Sequence, residues 1–261
     1  MRIAVLIKQV PVDNEVRVDP ETYCLIRDNT EMTVNPADLN AVTAGIRLRD
    51  ELGGTVSVFT MGPESADKAL KTCIAMGADE AFLITDAAFG GGDTLGTARV
   101  LAEALRFSGG YDLVLAGDAS ADGATGQVGE MTAELLGIPC AADARSLVWK
   151  DGGIEILRNY KDRKVRIRAE LPCMVTCGIG CNRPILPTLR SQMKANKLSI
   201  PRITNRELKL RPEIVGKIGA RSVVTGLYMR ETGQKQAVML EGSAAQIAAR
   251  IRELIGQEAA K

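Results

Sequence analysis

The sequence predicts an α/β protein with an open, mostly parallel β-sheet, helices on both faces of that sheet, and an extended C-terminal arm and helix. Of the 261 residues 46% are hydrophobic but only 3% are aromatic, so aliphatic side chains build the core, as in parallel strands buried between helices. Short apolar runs also alternate with segments of helical spacing. In residues 111–137 an apolar run breaks at Gly117 into a loop, and helical spacing begins at Gly126 and stops at Gly137.

The first part of the chain divides into further units of this kind. Residues 2–10 are apolar nearly throughout, which predicts a central strand, and residues 16–26 predict a small hairpin. A helix over 37–52 follows an Asn-Pro pair and ends at two glycines. The next elements are predicted as a strand over 55–61, a helix over 64–76, a strand over 81–85 and a helix over 99–107.

The second part of the chain has a different texture. Residues 144–148, 154–159 and 165–169 alternate like antiparallel strands, and 171–176 form another apolar run. Residues 178–212 contain four prolines and many basic residues around one short helical stretch, 189–196, whereas 243–255 predict an amphipathic helix. We therefore expect an α/β domain over 1–177 and a partner-binding arm with a C-terminal helix over 178–261.

The charge balance and the N-terminus exclude several classes of protein. The 33 basic and 32 acidic residues nearly cancel, so no global field attracts nucleic acid or an anionic membrane. The first apolar run is too short to span a bilayer and lacks a signal-peptide cleavage site. We expect a cytoplasmic protein without membrane insertion, whose six cysteines are free thiols. The spacing of Cys173, Cys177 and Cys181 invites a metal site, but Pro172, Gly180 and the lack of histidine argue against one.

Two loops could each deliver a helix N-terminus to the carboxyl edge of the sheet. One runs from Gly117 to Val128, and the other carries the sequence FGGGDT before the helix at 99–107. Free N–H groups and the helix dipole make such a loop a phosphate site. The alternatives are an empty crevice at the first loop and, at the second, a flexible connector with an ordinary N-cap at Asp93 or Thr94.

Several motifs then coincide in order along nearly the whole chain. They are KQVP at 8–11, NPAD at 35–38, MGADEA at 76–81, FGGGDT at 89–94, GQVG at 126–129 and PTLRSQMKA at 187–195. On these motifs the chain resembles the β subunit of electron transfer flavoproteins, the family that includes FixA. The resemblance implies a fold similar to the adenine-nucleotide α hydrolases, and a heterodimer with an α subunit.

The resemblance also implies cofactors and redox partners. In simpler members the β subunit holds AMP while FAD sits in the α subunit near the interface. In electron-bifurcating members a second FAD replaces the AMP and takes hydride from NADH. The expected function is to pass electrons between a flavin-dependent dehydrogenase or NADH and acceptors such as ferredoxin or flavodoxin, the redox chemistry belonging to the flavin. The chain itself then has no catalytic residue, and its flavin site oxidises NADH only if the protein is of the bifurcating type.

The nucleotide-binding residues follow by position from the family motifs and from the two loops. The first group is Leu6, Asn35, Pro36, Ala37, Asp38 and Met61. The second is Gly92, Asp93, Thr94 and Thr97 of the FGGGDT loop, which is similar to the loop that approaches the pyrophosphate of the second FAD. The third is Gly117, Asp122, Gly123, Thr125, Gly126, Gln127 and Val128.

The chain departs from the family at two functional places. The family usually has a basic residue and then Gln directly after the first glycine of the loop from Gly117 to Val128, where this chain has Asp118 and Ala119. A carboxylate in place of a cation beside a phosphate costs roughly 1 kcal/mol. Leu189 matches the leucine that anchors the partner dehydrogenase, whereas Ile185 falls where the family commonly has Arg.

Two alternatives from other classes stay open at this point. GGGDT is similar to the loop of ATP pyrophosphatases, which favours an ATP-using enzyme, although the serines of that loop are missing. The other alternative is a nucleotide-binding regulatory module without redox partners. We also expect the chain to need its α subunit, because the arm and the C-terminal helix have no evident place on its own sheet.

Overall fold

The computed structural model describes residues 1–12, 31–225 and 239–258. The chain divides into two compact units, Met1–Thr225 and Gly226–Lys261. The hairpin predicted over 16–26 lies outside the described residues. In the second unit the described part contains the predicted C-terminal helix, which spans Ala244–Glu258.

The strands of the first unit are, in chain order, β1 Arg2–Leu6, β2 Gln9–Pro11, β3 Met32–Val34, β4 Thr55–Met61, β5 Glu80–Ile84, β6 Leu113–Gly117, β7 Cys140–Ala144, β8 Ser146–Lys150, β9 Gly153–Tyr160, β10 Arg163–Ala169, β11 Cys173–Cys177 and β12 Arg202–Ile203. The helices are α1 Pro36–Leu52, α2 Asp67–Met76, α3 Thr94–Phe107, α4 Val128–Leu136, α5 Leu189–Ala195, α6 Asn205–Leu208, α7 Gly216–Gly219 and, in the second unit, α8 Ala244–Glu258.

Seven strands form one parallel sheet in the order β12-β5-β4-β1-β6-β11-β7. From β1 the chain builds outward first to β4 and β5, and then crosses to β6 on the other side. The point between β1 and β6 is therefore where the strand order reverses, and the loops that leave these two strands diverge. Two smaller antiparallel sheets accompany it, β10-β9-β8 and β2-β3.

Helices cover both faces of the parallel sheet, as predicted. Alternate residues of β1 point to opposite faces: Ile3 and Val5 pack in one apolar cluster with α1 and α2, while Ala4 and Leu6 pack in a second cluster with α3 and α4. Because each strand is buried on both sides, it reads as a continuous apolar run in the sequence. This explains why β4, β6 and β11 are easy to predict.

The structure corrects several element predictions. The predicted strand over 2–10 is two strands, because the chain leaves the main sheet after Leu6 and β2 pairs instead with β3. β7 was not predicted as a separate strand, and it forms the edge of the parallel sheet beside β11. The first turn of the helix predicted over 64–76 is a 3-10 turn, Glu64–Ala66, before α2 begins.

The arm has a place on the sheet of its own chain, contrary to expectation. Arg202–Ile203 pairs with β5 and extends the parallel sheet by one strand. Leu83 and Thr85 of the β5 edge donate their amides to the carbonyls of Pro201 and Ile203, each at 3.0 Å. Residues 178–212, with their four prolines, carry too little local pattern to reveal this pairing. The assignment of 178–261 to partner binding stays a prediction.

Among the helices of the described residues, none has both the length and the apolar composition that crossing a lipid bilayer requires.

Candidate functional site

A crevice of about 750 Å³ opens at the carboxyl ends of β1, β4, β5 and β6. It lies at the reversal of strand order, where parallel α/β proteins bind their ligands. With neighbouring strands about 4.8 Å apart, the crevice extends about 14 Å across these four strands. This width exceeds what a phosphate group alone requires.

Most residues predicted to contact a nucleotide line this crevice. They are Leu6, Asn35, Asp38, Met61, Gly92, Asp93, Thr94, Thr97, Gly117, Gly123, Thr125, Gly126, Gln127 and Val128. Pro36, Ala37 and Asp122 are not in the lining. Pro36 is the first residue of α1, and Ala37 is buried behind Gly117. The structure thus brings together residues from five separate segments of the chain.

Asn35 and Asp38 hold the crevice together from behind. The Asn35 amide nitrogen donates to Asp38 Oδ1 and to the carbonyl of Ala119, each at 2.9 Å, while its oxygen accepts the amide of Ala121 at 3.0 Å. These bonds join the start of α1 to the loop after β6. The NPAD motif therefore shapes the loop from Gly117 to Val128, a role that its position in the sequence does not reveal.

The Asp38 carboxylate lies beneath the junction of three segments. It accepts the amide of Lys8 at 2.6 Å and the amide of Gly117 at 3.1 Å, in addition to the bond from Asn35. Burial raises the pKa of Asp38 to about 7, against the opposing effect of these three hydrogen bonds and of the Lys8 charge. A buried carboxylate with a pKa this high makes the junction sensitive to pH near neutrality.

The loop after β6 depends on two glycines. At Gly117 an added Cβ would overlap Asp38 Oδ1 and come to 2.8 Å from Ala37 Cβ. Gly126 has φ +61°, a backbone conformation that favours glycine, and an added Cβ would lie 3.3 Å from the carbonyl of Asp118. This tight path leads to Gln127, the residue before α4, whose side chain makes no capping bond to the helix. The first amides of α4 are thus left available to an anion in the crevice.

Asp93 in the FGGGDT loop is fully engaged within the chain. Its Oδ1 accepts the amide of Gly96 at 2.8 Å and so caps α3, while its Oδ2 accepts the amides of Arg221 and Ser222 at 2.7 and 3.0 Å. Partial burial favours the neutral acid, but these three N–H donors prevail and hold the pKa of Asp93 below its ordinary value. Asp93 is therefore a positioning residue, and a ligand would meet the helix N-terminus that it caps.

The glycines of the same loop are explained largely by packing. Added Cβ atoms at Gly91 and Gly92 would lie 3.2 Å from Lys217 Cβ and 3.3 Å from Gly216 Cα. The amide of Lys217 also donates to the carbonyl of Gly90 at 2.9 Å. Residues 216–222, which we call the strap, therefore lie directly on this loop. The glycines admit the strap, and so they are weaker support for a pyrophosphate site than the sequence indicates.

The two predicted loops meet at the crevice. Thr94 Oγ1 donates to Gln127 Oε1 at 3.0 Å, across the gap between the first residue of α3 and the residue before α4. Two helix N-termini thus converge on one side of the crevice, where their dipoles and free amides favour a negative charge. Apolar side chains of Leu6, Met61 and Phe89 line the same cavity. The arrangement suits a ligand with an anionic part and a planar apolar part.

Lys8 lines the crevice but is not among the predicted nucleotide-binding residues. Its Nζ lies 2.7 Å from Asp122 Oδ1 and 3.5 Å from Ser120 Oγ. Burial would raise the pKa of Asp122, but the hydrogen bond and charge of Lys8 hold it below its ordinary value. Lys8 thus brings a cation to the loop that begins at Asp118. Its place two residues after β1, within KQVP, is the available signal.

Leu189 lies away from the crevice, as the first residue of α5. Its side chain is 80% exposed. It lines a shallow groove together with Arg190, Met193, Lys194 and Lys197. An apolar side chain in basic surroundings on a short helix is a suitable anchor for a protein partner, and whether Leu189 has this role stays a prediction.

The described cysteines are free thiols, namely Cys73, Cys140, Cys173, Cys177 and Cys181. Cys173 and Cys177 are the two ends of β11, and Cys181 follows in a turn. Within the described part of the chain, no group of three or more Cys, Asp, Glu or His side chains is placed to hold a metal ion.

Fold and crevice together define a parallel α/β protein with a ligand crevice at the reversal of strand order. The electron transfer flavoprotein domain matches residues 22–208. The chain is 39% identical over 226 residues to the electron transfer flavoprotein subunit beta of Thermoanaerobacterium thermosaccharolyticum, covering 86% of each chain. It is 40% identical over 217 residues to the caffeyl-CoA reductase-Etf complex subunit CarD of Acetobacterium woodii, covering 83% of each. Identity to the protein FixA of Azotobacter vinelandii is 32% over 262 residues, covering 92% of this chain and 88% of that one. The chain belongs to the electron transfer flavoprotein β-subunit family.

Proposed function

We propose that this chain is the β subunit of a heterodimeric electron transfer flavoprotein and that its crevice binds an adenine nucleotide. The observation that carries the proposal is the convergence of the α3 and α4 N-termini, joined by the bond from Thr94 to Gln127, at the reversal of strand order. This geometry provides N–H donors for a phosphate group within a crevice that also offers apolar surface.

The residues present fit a flavin nucleotide. The amides at the two helix N-termini, the Thr94 and Thr97 hydroxyls and the Lys8 ammonium group are donors that would hold the phosphates. Leu6, Met61 and Phe89 provide apolar surface for an adenine ring. When bound, a flavin accepts and passes on electrons, and the protein's part is to position it and to exclude water.

The nucleotide that we propose is a second FAD. The lining of the crevice reaches from Asp86, after β5, to Ser120, after β6. A site that extends over four strands offers more length than a mononucleotide needs. Four carboxylates line the crevice, those of Asp38, Asp86, Asp93 and Asp118, and each accepts at least one backbone amide of the chain. The Lys8 ammonium group, which also pairs with Asp122, provides a cation for a pyrophosphate. With a second FAD, the NADH oxidation and electron bifurcation implied by the family resemblance follow as part of the proposal, with ferredoxin or flavodoxin as an acceptor.

Cofactor extraction from the complex with the α subunit tests both parts of the proposal, the adenine-nucleotide site and the second FAD. Two FAD per heterodimer and reduction by NADH are expected. One FAD and one AMP would retain the adenine-nucleotide site but contradict the second FAD. A colourless protein that turns over ATP would favour an ATP-using enzyme and contradict the whole proposal.

A matched pair of glycine variants locates the nucleotide. Gly126→Val introduces a β-branched residue with φ +61° in the crevice loop, and we expect it to release the nucleotide. Gly137→Val imposes similar backbone strain, since Gly137 has φ +73°, but at the far end of α4 with nothing within 4 Å of the added Cβ. Retention of stoichiometric nucleotide by Gly126→Val, or equal loss in both variants, would remove this loop from the site.

A further inference from the structure

Two cysteines at the carboxyl end of β11 lie outside the lining of the crevice. Cys177 is the last residue of β11 and is buried, whereas Cys181 is only partly buried. The amide of Cys181 donates to the carbonyl of Gly178 at 3.0 Å, which closes a turn between the two cysteines. Across this turn the two side chains are close enough that each thiol affects the ionisation of the other.

Two arginines are fixed on the segment that carries Cys181. Arg145 Nη1 donates to the carbonyl of Ile179 at 3.0 Å, two residues before Cys181. Arg47 Nη2 donates to the carbonyl of Arg183 at 3.2 Å, two residues after it. Arg145 also pairs with Asp143 at 2.9 Å, which takes up part of its charge. A partly exposed cysteine between fixed guanidinium groups is in the surroundings typical of a reactive thiolate.

The two thiols differ in their tendency to ionise. The hydrogen bond from Cys177 lowers the pKa of Cys181 below its ordinary value, and the charges of Arg145 and Arg47 act in the same direction, while burial opposes them. The same hydrogen bond, together with burial, raises the pKa of Cys177 well above its ordinary value. Cys140, which is exposed on β7, has a pKa raised to about 11 by partial burial and by the nearby Glu130.

We propose that Cys181 is a reactive thiolate and Cys177 its resolving thiol, so that hydrogen peroxide oxidises the pair to an intramolecular disulfide. The Cys181 thiolate attacks one peroxide oxygen, the O–O bond breaks, and a sulfenic acid and hydroxide form. The Cys177 thiol then attacks the Cys181 sulfur, the S–O bond breaks, and water leaves with the Cys177 proton. In balance, two thiols are oxidised to one disulfide while one peroxide is reduced to two waters.

The turn has the freedom that this reaction needs. A disulfide requires the sulfurs to approach to about 2.05 Å, closer than in a thiol hydrogen bond. Gly180 lies between the cysteines with φ +87° and has open space around its Cα. The oxidised turn would also lie next to the crevice, since the carbonyl of Cys177 accepts the amide of Asp118 at 2.9 Å.

The first test uses the reduced full-length chain and hydrogen peroxide. Peptide mass spectrometry should find a disulfide between Cys177 and Cys181, reversible by dithiothreitol, and the Cys140→Ser variant should form it equally. In Cys177→Ser the sulfenic acid on Cys181 should persist and be trapped by dimedone. Oxidation of Cys140 while Cys177 and Cys181 stay reduced would overturn the proposal, as would disulfides only between chains.

The second test compares alkylation rates at pH 7 in the wild-type chain, which needs no variant to fold. Iodoacetamide should modify Cys181 faster than the more exposed Cys140. The ratio of the two rates should be about threefold for each unit that separates the pKa values, because a lower pKa raises the thiolate fraction more than it lowers the nucleophilicity of the thiolate. Arg145→Met should slow alkylation of Cys181, whereas Arg163→Met, a change on the exposed strand β10, should leave the rate unchanged. Faster modification of Cys140 than of Cys181 would contradict a reactive thiolate.

Discussion

At the scale of single residues, the crevice is shaped by buried polar groups whose partners are distant in sequence. Asp38 joins the end of β1, the start of α1 and the end of β6 through three N–H donors. Gly117 allows this because its Cα lies against Asp38 and Ala37 with no room for a side chain. The last residue of a central parallel strand is thus constrained by packing as well as by any ligand.

Gly117→Ala is expected to destabilise the protein by about 2 kcal/mol or more, because the new methyl group overlaps Asp38 and displaces its hydrogen bond to the amide at 117. Urea unfolding measures the change. Gly123→Ala is the control in the same loop, since its Cβ would lie 3.4 Å from Ser120 Oγ at an ordinary contact distance. Equal stability of the two variants would contradict the packing argument.

Asp38 should give the protein a stability that depends on pH. Its folded-state pKa of about 7 lies above the ordinary value of 3.8, so folding takes up a proton between these values. The free energy of unfolding therefore falls as the pH rises from about 4 to about 7, by an amount on the order of a few kcal/mol. Asp38→Asn cannot ionise and should lose this part of the slope.

Urea unfolding at several pH values checks this prediction. Asp162→Asn, in the exposed turn between β9 and β10, serves as the control and should keep the wild-type slope. Parallel profiles of wild type and Asp38→Asn would show that the Asp38 carboxylate does not titrate in this range.

At the scale of elements, the N-terminus of α3 is built from two segments that are distant in sequence. Asp93 caps the helix with one oxygen and holds the strap with the other. The strap in turn packs on the glycines that precede the helix. The position of α3 and its cap therefore depend on residues that lie more than a hundred positions later in the chain.

Two substitutions at Asp93 distinguish its role as the cap of α3 from its role in holding the strap. Asp93→Ala removes the cap and the strap bonds, and we expect a loss of about 1 kcal/mol with faster amide exchange at Arg221 and Ser222. In Asp93→Asn the side-chain oxygen can still cap α3, but the NH₂ group faces the strap amides and cannot accept them. We therefore expect this variant to be nearly as stable as the wild type, while amide exchange at Arg221 and Ser222 stays fast. Hydrogen exchange with mass spectrometry measures both. Slow exchange at 221–222 in both variants would show that Asp93 does not hold the strap.

At the scale of the whole molecule, the crevice and the shallow groove around Leu189 lie in separate parts of the fold. The crevice lies at the carboxyl edge of the sheet, whereas α5 lies against α2 on one of its faces. A substitution in the groove around Leu189 therefore need not change what the crevice binds, and the reverse also holds. This separation allows a nucleotide site and a partner site to be tested independently.

Leu189→Ala should slow electron transfer with the partner dehydrogenase by about tenfold or more, if Leu189 is an interface hot spot worth at least about 1.4 kcal/mol. The cofactor content of the complex with the α subunit should stay unchanged. Val148→Ala removes an exposed apolar side chain from β8 instead and should have no effect on the rate. Normal rates in Leu189→Ala across dehydrogenase concentrations would exclude this docking role.

The sequence by itself determined the α/β class, the central strands and most helices. These follow from spacing that is local: a strand buried on both faces must be apolar along its length, and Pro36, Gly77 and Gly137 mark helix ends through their own backbone preferences. The predicted nucleotide-binding residues that line the crevice follow partly from a similar rule, since the loops after parallel strands meet at one edge of the sheet, and partly from the family motifs.

Only the tertiary structure decided what the individual polar residues do. Lys8 meets Asp122, Asn35 meets Ala119, and Asp93 meets Arg221, each across a long stretch of chain. The edge strands β7 and β12 likewise exist because β11 and β5 offer open edges to them. Such pairings leave no periodic signal in the sequence, because the distance along the chain between two partners is set by the fold and not by the geometry of either element.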